Sequence, residues 1–96
     1  MSLFPAGRLA VTVIGPRGLE VEADALEVSL PSLDGRLGIL PGHRPMILAL
    51  GRGTLTYKDE AQEGRLNIRG GYAEIRPDSV LAFVERSDEE DDPSPS

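Results

Sequence analysis

The stretch Leu33–Ile47, "LDGRLGILPGHRPMI", sets three glycines, two prolines and the chain's single histidine, His43, between two apolar runs. Glycine opens backbone conformations closed to other residues and proline fixes its own φ, so such a mixture marks a place where a strand stops, turns and restarts. Just upstream, "ALEVSLP" alternates Leu26, Val28 and Leu30 with Glu27 and Ser29. That period of two belongs to a strand with one face buried and the other in water. Just downstream, "PMILAL" (Pro45 to Leu50) is apolar at every position. Leu33–Ile47 therefore reads as a corner at which a small sheet folds back on itself.

Moving outward, the same design repeats. "RLAVTVIG" (Arg8 to Gly15) is β-branched and ends at "GPRG", a turn followed by a short strand "LEVEA". "GRGTLTYKD" and "GRLNIRG" flank the polar "KDEAQEG" as a hairpin with a slightly long loop. "GYAEIRPDSVLAFVE" forms a second hairpin around "RPDS", where Pro77 suits the second turn position and Asp78 can bond back to the chain. Gly70 and Gly71 do not form a phosphate loop, because the G-x-x-x-x-G-K-[ST] pattern is missing; before a strand they signal a bulge or close backbone packing. Turns recur about every eight to ten residues and no window shows a 3.6-residue apolar repeat, which predicts an all-β sandwich or barrel.

With 96 residues the chain holds one modest core. A net charge of −6 with scattered basic residues argues against nucleic acid or an anionic membrane as partner. There is no cysteine, hence no disulfide or thiol chemistry, and no run nears the roughly 20 apolar residues that span a bilayer. The expectation is a soluble domain over residues 1–87 and, over 88–96, a disordered tail, since "DEEDDPSPS" lacks the apolar side chains that would offset its ordering entropy. Those acids lack the Gly-turned loop that wraps calcium.

Catalysis would have to begin at His43, the one side chain that titrates near neutrality unaided. Ser29 or Ser32 with His43 and Asp34 could be written as a triad, but no nucleophile-elbow pattern accompanies them. One histidine without cysteine cannot supply a zinc ligand set. His43 is expected instead to hydrogen-bond backbone groups at the corner. No catalytic residue, metal or cofactor is assigned. "PMILAL" does point to a partner: if its own core covers one face, either Met46, Leu48 and Leu50 or Ile47 and Ala49 face outward as an apolar stripe, the alternative being a central strand whose second face is covered by loops or the N-terminal segment of its own chain.

"LEVSLPSLDGRLGILPGHRPMILALGRGTLTY" and "IRGGYAEIRPDSVLAFVE" together resemble the N-terminal β-sandwich of the epsilon subunit of F-type ATP synthase, called delta in mitochondria. The similarity runs from about Leu9 to Glu85, and its sharpest element is G-x-L-G-I-L-P-G-H-x-P, from Gly35 to Pro45. The resemblance implies a flattened antiparallel sandwich of about ten short strands. It also implies a non-catalytic central-stalk role, joining the gamma shaft to the membrane rotor ring during proton- or sodium-driven ATP synthesis. The implied place is the cytoplasmic face of the bacterial inner membrane, peripheral to the bilayer and without insertion into it, the isolated chain being a monomer.

Carried onto this sequence, the resemblance makes His43 and Leu48 gamma contacts, with Met46 on the same expected outward stripe, and places the rotor-ring contact at Leu33, Asp34, Gly35 and Arg36. Many bacterial members have an acid where Arg36 stands. Family members commonly continue into two helices that inhibit hydrolysis or sense nucleotide; those roles are not carried over. The competing reading is a free-standing β-sandwich module for a small ligand or peptide.

Overall fold

The computed structural model describes residues 7–86. The tail expected over 88–96 lies outside them. Eight strands follow one another: β1 (Leu9–Gly15), β2 (Gly18–Ala25), β3 (Glu27–Ser32), β4 (Gly35–Ile39), β5 (Met46–Leu50), β6 (Gly53–Lys58), β7 (Glu63–Arg76) and β8 (Ser79–Arg86). No helix occurs among the described residues, as the missing 3.6-residue repeat predicts.

The strands run in the order β2-β1-β8-β7-β5-β3-β4, with β6 between β3 and β7. The two ends of this continuous sheet share one core, so the sheet is folded over into two layers. Leu9, Val11 and Val13 of β1, Val80 and Ala82 of β8, and Ala73 and Ile75 of β7 meet Val28 and Leu30 of β3, Ile39 of β4 and Leu55 of β6 there. Every one of these is almost fully buried. The alternation in "EVSLP" is realised directly: Val28 and Leu30 point in, while Glu27 and Ser29 stay partly exposed.

β7 lets one strand serve both layers. Its first half pairs with β6 from Glu63 to Ile68, and its second half lies between β5 and β8. The register with β8 slips between Ile68 and Gly70. A bulge adds one residue and so inverts which side chains face the core. Ile68 is the buried residue before it, at an even position, and Ala73 and Ile75 are buried after it, at odd positions. Gly71 has φ 138, and a Cβ there would land on the Phe83 carbonyl oxygen. The extra residue is Arg69, next to the Gly-Gly pair, and Gly71 makes the close backbone approach that the pair suggests. Because the chain runs through the bulge unbroken, "GRLNIRG" and "GYAEIR" are one strand, which removes one from the expected count of about ten; the described residues form eight strands.

Two other features depart from expectation. "GRLGI", inside the predicted corner, pairs with β3 as a strand, from Ser32↔Gly35 to Val28↔Ile39. The sheet is also not purely antiparallel, since β1 and β8 pair in parallel from Ala10↔Ser79 to Ile14↔Phe83.

Candidate interaction surfaces

The phase of β5 is fixed by its pairing with β7. Leu48 sits opposite the fully buried Ala73 and Met46 opposite the fully buried Ile75, so both lean onto the core and are half-buried. Leu50 is buried outright, whereas Ile47 is 74% exposed and Ala49 is exposed as well. The outward stripe is therefore Ile47 and Ala49, and the assignment of Met46 and Leu48 to the outer face is corrected: side chains opposite a core residue share its face.

Ile47 and Ala49 belong to a larger apolar surface. Cross-strand register lines up Ala49, Tyr72, Phe83, Ile14 and Leu19 across β5, β7, β8, β1 and β2, one side chain per strand. Tyr72 and Phe83 stack at 5.2 Å between ring centroids. Tyr72 is 50% exposed and Leu19 61%. The outer face of the other layer is polar by contrast, displaying Ser29, Thr54, Thr56, Lys58, Arg65 and Asn67. The belt escaped the sequence reading although a signal was available. "VLAFV" (Val80 to Val84) is an unbroken apolar run like "PMILAL" and marks a second strand apolar on both faces.

β5 also has an open edge. It meets β3 at the single pair Ser32↔Leu50, so along Met46–Ala49 no described strand lies on that side. At its start stands the His43 corner. The His43 ring donates from Nδ1 to the Arg44 carbonyl at 2.7 Å, its amide donates to Leu40 O at 3.1 Å, and the Gly42 amide donates to Pro77 O at 2.7 Å. The corner is thereby tied to the β7–β8 turn, and His43 satisfies backbone as expected of a corner residue. The triad written from Ser29 or Ser32, His43 and Asp34 is not assembled. Ser29 Oγ accepts from Arg36, Ser32 Oγ is taken up by its own turn, and His43 by Arg44.

At the far end of β5 lies the β3–β4 turn. Ser32 and Gly35 close it, and Leu33 and Asp34 form its tip, with Gly35 at φ 121. The Ser32 hydroxyl donates to Gly35 O at 2.5 Å and accepts from the Asp34 amide at 3.1 Å, stitching both sides of the turn. Leu33 is 73% exposed and Asp34 is exposed too. Of the four residues expected to act together here, Arg36 goes elsewhere: its Nε donates to Ser29 Oγ at 3.0 Å and its Nη2 to Thr54 O at 2.6 Å, which draws the guanidinium back along the polar face. Among the described residues no group of three or more His, Cys, Asp or Glu is placed to hold a metal ion.

The family described as the β-sandwich domain of the ATP synthase delta/epsilon chain matches residues 8–88. This chain belongs to that family. A relative, the ATP synthase epsilon chain of Synechococcus elongatus, is 39% identical over 83 residues, covering 86% of this chain and 61% of the relative. The chloroplastic ATP synthase epsilon chain of Pylaiella littoralis is 42% identical over 76 residues, covering 79% and 58%. The chain thus spans about three-fifths of the length of these delta/epsilon relatives. Solved structures share the fold at low identity. A chain of the Euglena gracilis mitochondrial ATP synthase, in an assembly of OSCP, F1 and c-ring, superposes with a TM-score of 0.75 at 17% identity, over 86% of this chain and 54% of that one. One from the central stalk and c-ring of the Tetrahymena thermophila enzyme gives 0.64 at 16% identity, over 80% and 63%.

Proposed function

We propose that this chain is a non-catalytic central-stalk subunit of a rotary F-type ATP synthase, a rigid coupling between the gamma shaft and the membrane rotor ring during ion-driven ATP synthesis. The observation that carries the reading is family membership across residues 8–88. The geometry suits it. The two candidate contacts sit at opposite ends of β5: the His43 corner beside Met46, and the Leu33–Asp34 tip beside Leu50, which pairs with Ser32. Four residue steps of strand separate them, about 14 Å. A push at one end then passes to the other through paired strands and a packed core, with no hinge between.

On this reading gamma lies along the open edge of β5, touching His43 and the exposed flanks of Met46 and Leu48. Ile47, the large apolar side chain of the strand that stands exposed, contributes the largest area that gamma would remove from water. The ring meets Leu33, Asp34 and Gly35. The subunit works at the cytoplasmic face of the bacterial inner membrane as a peripheral part of the complex. The test is to isolate this chain under native conditions from its own cells: copurification with an ATPase of several subunits is expected, and recovery of the free chain alone would overturn the reading.

A further inference from the structure

The parallel pairing of β1 with β8 brings the end of β8 beside the β1–β2 turn, since Ile14 lies opposite Phe83, close to where β8 ends at Arg86. On the other flank β7 runs back past it, with Ile68 opposite Arg86 and Gly70 opposite Glu85. Arg69 is the extra residue between those two pairs, and a bulge re-aims the side chain it carries. These elements enclose an open groove of about 780 Å³, which Arg17 and Leu19 share with Arg69, Glu85 and Arg86. Arg17 and Arg69 are exposed on it, and so is Glu85. Glu20, also in its wall, is taken up by the fold. Arg86 Nη1 donates to Glu20 Oε1 at 2.9 Å, the two side chains being 22% and 20% exposed, and Arg86 Nε donates to Asn67 O at 3.2 Å. A Cβ on Gly15 would stand 2.7 Å from Glu20 Oε2, so that carboxylate is packed under the turn. The half-buried pair thereby fixes the point at which the chain leaves β8, on the rim of a groove with two exposed arginines and one exposed acid.

Just beyond that point the sequence sets five acids in a row, Asp88, Glu89, Glu90, Asp91 and Asp92. They belong to a total of 16, and the 11 that remain nearly balance the 10 basic residues, so the sandwich as a whole repels the run little. We propose that Asp88–Asp92 occupies this groove in its own chain, with its carboxylates against Arg17 and Arg69. Reach is no obstacle: two to six residues past Arg86 span about 7–20 Å when extended. Single ion pairs at a surface are weak, but a tether this short keeps the acids at high effective concentration beside both arginines. Held by charge, the run needs no apolar side chains of its own, and salt should release it. The groove lies at the Leu19 end of the apolar belt, four strand spacings, about 19 Å, from Ala49. A run seated there leaves the open edge of β5 clear, so the proposal stands apart from the stalk assignment.

Because the sequence has no cysteine, Ser94→Cys in the full chain accepts a single nitroxide label. The comparison is with the same labelled chain carrying Asp88→Asn, Glu89→Gln, Glu90→Gln, Asp91→Asn and Asp92→Asn, which keeps the tether and removes the charge. At low salt the label should weaken the amide NMR signals of Arg17, Leu19 and Arg69 at least about twofold more in the charged chain, and about 0.5 M salt should erase the difference. Arg17→Gln combined with Arg69→Gln should erase it as well, whereas Lys58→Gln, on the polar face of the other layer, should leave it in place. Equal weakening in the charged and neutralised chains would overturn the proposal. A difference that survives high salt would assign the hold to apolar contact with Leu19 and overturn its basis in charge. In a mixture of nitroxide-labelled chain with isotope-labelled chain lacking the nitroxide, the signals should stay unchanged; weakening there would mean that the run docks on a second copy. If the charged chain shows no difference of its own but a free Asp-Glu-Glu-Asp-Asp peptide shifts the same three residues, the groove serves an acidic partner from outside and the proposal is overturned.

Discussion

Replacing Ile47 with lysine separates the stability of the domain from its assembly. About a quarter of the Ile47 surface is covered in the isolated fold, its exposure being 74%. Full burial of such a side chain is worth roughly 1.5–3 kcal/mol, so the intramolecular share lost is about half a kcal/mol. Glu74 stands directly opposite on β7, which makes lysine the gentler choice: an aspartate there would face a like charge. Thermal unfolding should therefore fall by only about 2–4 °C, given some 4–8 °C per kcal/mol for a domain of this size. Against gamma the same ammonium would be desolvated without a partner, at a cost of several kcal/mol, and each 1.4 kcal/mol is tenfold in affinity. Calorimetric titration of gamma with the variant should show at least about a hundredfold weaker binding. Leu48→Asp is the contrasting substitution, since half-burial on the core makes it lose stability as well as binding. Val28→Asp, at 0% exposure, should not fold. An Ile47→Lys variant that melts more than about 10 °C below wild type would show that Ile47 faces the core. Unchanged gamma affinity would show that the shaft seats elsewhere on the sandwich.

Gly71→Ala should lower the melting temperature by more than about 10 °C, because it combines a positive φ with a Cβ that would stand 2.9 Å from Val84 Cα. Gly42→Ala, at φ 91 with nothing within 4 Å, meets only the conformational cost and should lose far less in the same melt. Leu30→Ala removes a fully buried side chain and should cost about 2–5 kcal/mol in urea unfolding. Asp59 accepts the Ala61 and Gln62 amides at 2.8 and 2.9 Å, and these bonds hold its carboxyl below the usual aspartate range. Since the folded value lies below the unfolded one, the contribution of Asp59 is complete above the unfolded pKa and is lost as pH falls through the folded one. Carbon-detected NMR titration of Asp59 should find it still ionised where free aspartate is half protonated, and Asp59→Asn should remove that part of the acid sensitivity.

The β class was legible because period two and the spacing of Gly and Pro are local properties. "EVSLP", the hairpin around "KDEAQEG" and the turn at Pro77–Asp78 fold as their residues suggest. The orientation of β5 was not legible. In "PMILAL" both phases are apolar, so alternation is silent, and only the pairing with Ala73 and Ile75 decides which residues turn inward. The glycine pair at Gly70 and Gly71 flagged the neighbourhood of the bulge, but its position at Arg69 and its consequence, a change of phase within one strand, depend on β8 lying alongside. Arg36 shows the remaining limit. Its charge was plain in the sequence, yet the carbonyls of Ser29 and Thr54 that claim it lie on two other strands, and Thr54 is 18 residues away.

The parallel pair of β1 and β8 has a consequence for how the molecule is made. The first strand finds its neighbour in the last, from Ala10↔Ser79 onward, so β1 emerges from the ribosome some seventy residues ahead of the strand beside it. Until then only the β2 side of β1 is paired, and the opposite edge, with Val11 and Val13 on it, waits. Closing so long a loop is an entropic toll met before any contact repays it, which sets folding in the millisecond-to-second range of domains dominated by distant pairings. A nascent chain halted before Ser79 would expose two unfinished edges, that of β1 and that of β7, each a template for a foreign strand. Synthesis of this domain thus ends in one late step, the arrival of β8, which closes both edges at once.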